Sequence, residues 1–245
     1  MLLQKHFVIL HLLVEFAIFL FIAFQLIIVN LLRKNKDYIK MKKVFNILLL
    51  LAFVVPLSAQ EKVYEENASH VVTKAKFLDK FSYENYSKSF ALSLVSSEKV
   101  SQGKVYSIDC YRYQGWGEDP GDFHVIKICE NGKEIYSLEN GLGWEKFPSR
   151  WNSSHSAFYA ANLDSQTLAL FFVGASIMSQ PEYLTVVILK NGKATLVFNK
   201  PYVLADLVKS NNTILFKLWN DYDDATDHIT PQHTLSIENK ALSFK

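Results

Sequence analysis

From Lys88 to Lys245, short runs rich in Val, Ile, Leu, Phe and Tyr alternate with turn residues, and no amphipathic helix of useful length appears. That alternation predicts antiparallel strands joined by short turns. Two turns anchor the register. "HVIKICENGKEIYSL" and "LTVVILKNGKATLVF" each place Asn-Gly between apolar runs. Asn131-Gly132 and Asn191-Gly192 supply the two φ > 0 residues that a type I′ hairpin requires. "TLSIENKALSF" is a weaker third version, with Asn239-Lys240 in the turn. A strand precedes each hairpin ("KVYSIDCYRY", "TLALFFVGA", "TILFKLW"), and a further apolar run precedes each of those ("KSFALSLV", "SAFYAANL", "YVLADLV").

The chain thus reads as an all-β antiparallel meander of about twelve strands. It divides into three four-stranded units, at about 88–138, 155–199 and 203–245, with strands A to D in each. Four-strand meanders of this length resemble β-propeller blades, which typically number at least four to a ring. Three units predict blade-like packing, with closure as a β-sandwich or open barrel as the alternative. Residues 60–87 are polar, have no clear period and read as an irregular segment or a short helix; 88–245 is the all-β domain.

The N-terminal pattern is different. At Met41 a fresh start is written: Lys42 and Lys43, an apolar run from Val44 to Val55 broken only by Asn46, then Pro56 and "LSAQ". The run is too short for a ~30 Å hydrocarbon core but suits a signal peptide, with cleavage expected after Ala59. Residues 1–40 are either an upstream segment that is not made or a leader carrying a membrane span over Phe7 to Leu32. Glu15 would be a costly member of that span. Either way the domain beyond is expected to be exported, periplasmic or extracellular, with membrane contact only through residues 7–32.

Charge refines this picture. The whole chain carries 26 Lys/Arg against 24 Asp/Glu, but residues 1–59 hold seven of the former and two of the latter. The remainder has 19 bases and 22 acids, so the basic balance belongs to the leader. No Lys/Arg-rich stripe follows, and no nucleic-acid partner is expected. Cys110 and Cys129 are the only cysteines. In an exported chain an even count predicts a disulfide, here across strands B and C of the first unit.

Motifs that carry a mechanism are missing. There is no G-x-S-x-G, H-E-x-x-H, C-x-x-C or Walker loop. The glycines of "GWGEDPG" precede a strand rather than a helix, so they read as turn formers and not as a phosphate cradle. "NDYDDATDH" puts Asp221 and Asp223 at Ca²⁺-loop spacing, but Ala225 takes the next ligand position and the loop glycine is absent. Asp227, His228 and His233 lack a recognised metal spacing. No cofactor, metal or catalytic residue is assigned.

Topology adds what motifs do not. In a meander the B–C loops and D–A connections leave on one edge, and the A–B and C–D turns on the other. The B–C loops "QGWGEDPGD", "SIMSQPE" and "NDYDDATDHITP", with the connection "ENGLGWEKFPSRWNSS", gather Trp116, Trp144 and Trp151 and most acidic loop residues on one edge, with Trp219 at the end of its strand there. Aromatic rings beside carboxylates suit sugars or a protein partner. The expected ligand site is Trp116, Asp119, Asp122, Trp144 and Asp224, on a non-catalytic exported module that binds a glycan or a protein. The alternatives are an exported hydrolase, using either Asp119 and Asp224, since paired carboxylates can cleave glycosidic bonds, or a metal held by Asp227, His228 and His233, and a structural envelope protein.

Overall fold

Three hairpin turns with left-handed backbone set the frame. Asn131 and Gly132 have φ of 52° and 77°, Asn191 and Gly192 have 52° and 80°, and Asn239 and Lys240 have 50° and 65°. The computed structural model describes residues 60–66, 68–77, 86–115, 121–152, 157–178, 180–181 and 183–245. The leader and its cleavage site lie outside them, apart from Gln60. Residues Ala59–Lys245 form one compact unit. Among the described residues, no helix is long and apolar enough to cross a membrane.

The protein is all-β. The first unit is β3 (Leu92–Gln102), β4 (Lys104–Tyr113), β5 (Phe123–Glu130) and β6 (Lys133–Glu145); the second is β7 (Tyr159–Asn162), β8 (Thr167–Gly174), β11 (Tyr183–Lys190) and β12 (Lys193–Pro201). The third is β13 (Val203–Ser210), β14 (Thr213–Trp219), β15 (His233–Glu238) and β16 (Ala241–Phe244). Within each unit the four strands pair in sequence, antiparallel. Two short strands, β9 (Ser176–Ile177) and β10 (Gln180–Pro181), pair inside the second B–C loop.

The segment 60–87 departs from its expected irregularity. Glu61–Glu65 is a strand, β1, which pairs with β16 and with the two-residue β2 (Ala68–Ser69). Tyr86–Lys88 is a single 3₁₀ turn. The third unit is thereby extended to a six-stranded sheet.

The second unit is buried on both faces, and its sequence says why. Every residue of "TLALFFVG" in β8 is buried. Leu168, Leu170 and Phe172 pack with Ile108, Ile126 and Trp144 of the first unit, while Ala169, Phe171 and Val173 pack with Phe216, Leu218 and Leu235 of the third. A strand alternating between two apolar cores needs an unbroken apolar run. The end units are one-sided. On the outer face of the first, Ser97, Asp109 and Lys127 stand side by side across the strands. On that of the third stand Asp206, Lys217 and Thr234. Among the described residues no barrel is closed.

The first two units are not separate sheets. Trp144 and Glu145 of β6 pair with Gly174 and Val173 of β8, so one strand turns the corner from one sheet to the next. Corners of this kind need a bend. The bend is Asn140–Gly143. The Asn140 amide donates to the Gly143 carbonyl at 3.0 Å, and its oxygen accepts the Leu142 N–H at 3.1 Å. Gly143 has φ of 81°, and a Cβ there would sit 2.5 Å from the Phe123 carbonyl oxygen.

Candidate functional site

The loops of the B–C edge are built from their own side chains. Asp122 donates its N–H to the Trp144 carbonyl, and its carboxylate accepts the Lys146 N–H at 2.8 Å. This fixes the start of β5 against the end of β6, directly beside Glu145. In the third loop Asp221 caps the short helix α1 (Tyr222–Thr226) by accepting the Asp224 N–H at 2.9 Å. The Asp224 carboxylate in turn accepts from the Asn220 N–H and the Gln232 amide, both at 3.1 Å. The Trp219 indole donates to the Ile229 carbonyl at 2.7 Å.

Described residues from the three loops, Asp122, Ser176 and Tyr222, lie near the half-buried Glu145 or near one another. The Tyr222 hydroxyl lies near Ser176 of the second loop and feels the Glu145 charge; burial first, then Glu145, raises its pKa. Burial, and then the neighbouring Asp122 carboxylate, hold the Glu145 carboxyl above its ordinary range. Around them, Asp223 and Asp227 are exposed. Two large apolar side chains are exposed on the same edge: Met178, 82% exposed at the tip of β9–β10 with φ of 48°, and Ile229, 43% exposed.

The residues expected to bind a ligand have different fates. Trp116 and Asp119 lie outside the described residues. Asp122 and Asp224 stand on the B–C edge, each engaged in holding its own loop. Trp144 is core: 0% exposed, stacked on Phe123 and edge-on to Phe77, with its indole N–H donating to the Thr185 hydroxyl at 3.2 Å. It offers no ring to a ligand. Trp151 leaves the edge as well. Its connection runs along the molecule, and its carbonyl accepts from Lys209, near the third unit's A–B turn. Among the described residues no group of three or more His, Cys, Asp or Glu could hold a metal ion. His233 instead bonds Asn220 and stacks on Phe244.

The expected disulfide is overturned. Cys110 lies opposite Ile126, and Cys129 lies opposite Ser107. The three-residue offset sends the two side chains to opposite faces of the sheet, because side chains alternate with period two. Both thiols are free.

Glu145 and Tyr222 were not singled out by sequence reasoning. The only signal was placement: Glu145 opens the first D–A connection and Tyr222 sits inside the third B–C loop. No family model, no curated protein and no solved structure matches the chain.

Proposed function

We propose that the protein is an exported, non-catalytic binding module that takes a glycan or a protein on its B–C edge. The observation that carries this reading is the gathering of Asp122, Ser176 and Tyr222, one described residue from each B–C loop, about Glu145. Sites in loops held by a rigid scaffold are a common way for β folds to bind. Export rests on the leader at Met41, and N-terminal sequencing of the mature protein should begin at Gln60 or within a few residues.

Binding is tested by screening the exported protein against arrayed glycans and immobilised peptides. A ligand of this edge should lose at least tenfold in affinity on Glu145→Gln or Asp223→Asn, and should tolerate Lys133→Gln on the opposite edge. A ligand sensitive only to the opposite edge would sink the reading.

A second reading is favoured by one observation, the raised Glu145 carboxyl beside Asp122. Two neighbouring carboxyl groups, one of them held above its ordinary range by burial, are the residue types that glycoside hydrolysis uses. Release of product from polysaccharide, abolished by Glu145→Gln, would replace binding with hydrolysis.

A further inference from the structure

On that reading of the B–C edge, we infer that its ligand is a protein with a basic surface, anchored on Met178. The described acids of this edge, Asp122, Glu145, Asp221, Asp223, Asp224 and Asp227, outnumber its bases, among them Arg112, Lys146 and Lys200, the last of which is paired with Glu61. The opposite edge, with Lys104, Lys133, Lys193 and Lys240 at its turns, has no such excess of acid. A cationic partner is therefore steered to one end of the molecule and turned away from the other.

Charge alone names no site; the apolar tips supply the contact. Met178 is the most exposed large hydrophobic side chain among the described residues, and Ile229 stands on the adjoining loop. An unbranched thioether packs adaptably against an apolar hollow, and exposed apolar groups rimmed by charge mark interaction surfaces. A sugar is less well served. Trp144 is buried, and the Trp219 indole N–H is bonded within its own loop.

The test is a random 15-residue peptide library panned against the full exported chain. Enriched peptides should place Lys or Arg around a large apolar residue. A synthetic copy should bind Met178→Ser at least tenfold more weakly. It should lose much of its salt dependence on the Asp223→Asn, Asp227→Asn variant and bind Lys193→Gln unchanged. Melting curves equal to the parent's exclude misfolding, which is not expected of so exposed a side chain. No enrichment, enrichment of uncharged peptides, or equal binding to Met178→Ser overturns the inference. A glycan that binds this edge whatever stands at 178 overturns it too, but leaves the binding-module reading standing. Concentration-dependent self-association abolished by Met178→Ser also overturns it, by making a second copy the occupant.

Discussion

The Trp144 indole N–H and the Thr185 hydroxyl oxygen lie 3.2 Å apart, joining the first unit to the second inside their shared core. Thr185 is itself fully buried, with its hydroxyl near the Tyr183 carbonyl and the Asn199 side-chain oxygen. Thr185→Val removes the acceptor and strands a buried donor. Denaturant unfolding should show a loss of about 1–3 kcal/mol. In Trp144→Phe the same replacement should cost much less, because no donor is left to strand. Equal costs in both backgrounds would mean that this hydrogen bond is not made.

Gly143→Ala is expected to be the more damaging change at the corner. The added methyl meets the Phe123 carbonyl at 2.5 Å, on a backbone already left-handed. A loss of more than about 3 kcal/mol, or failure to accumulate folded protein, is predicted. A normal melting curve would mean that the corner is looser than described.

Lys240 carries the opposite expectation. It occupies a φ of 65° that costs an L-residue about 1 kcal/mol and glycine almost nothing. Lys240→Gly converts the third hairpin to the Asn-Gly form of the other two. It should raise stability by about 0.5–1 kcal/mol, visible as a higher Tm.

His124 gives the fold a pH dependence. It is fully buried and stacked on Tyr113, with ring centroids 4.6 Å apart. Burial, reinforced by Arg112, lowers its pKa from 6.5 to about 4. The folded state thus resists a proton that the unfolded chain accepts. The resulting stability is full above pH 6.5 and is lost as the pH falls toward 4, by up to about 3 kcal/mol. Unfolding measured across that window should show a shallower slope in His124→Phe; an unchanged slope would assign the effect elsewhere.

The two cysteines should behave as independent thiols. Cys110 is fully buried, and burial pushes its thiol up to about 12, so it should resist thiol reagents in the native protein. Two thiols should titrate after unfolding without reductant, and reductant should leave the Tm unchanged. Mass spectrometry finding an internal bridge would contradict the register.

What the sequence disclosed was mostly local. Asn131-Gly132 and Asn191-Gly192 are legible because few other pairs take two left-handed residues. The four-strand grouping follows from counting runs between such turns. β1 was missed because "EKVYE" is short and its partner is remote. Trp144 falls by sequence in the first D–A connection because the apolar run ends near Leu138, whereas β6 bends at Asn140–Gly143 and continues, carrying the ring into the core. Strand register decided against the cysteine pair, and spacing from a loop does not reveal register. Glu145 and Tyr222 come together only through the corner and the stacking of sheets, which no local pattern records.

β1 pairs with β16, the first strand described with the last. Val63 and Tyr64 reach the core shared by the second and third units through that pairing. On a ribosome, β1 is made well before β16 and must wait for it. Its apolar side chains stay uncovered in the meantime, and the wait lengthens as synthesis slows. Completion of this sheet therefore waits until β16 has been made, and the interval before it is when a holding chaperone has most to protect.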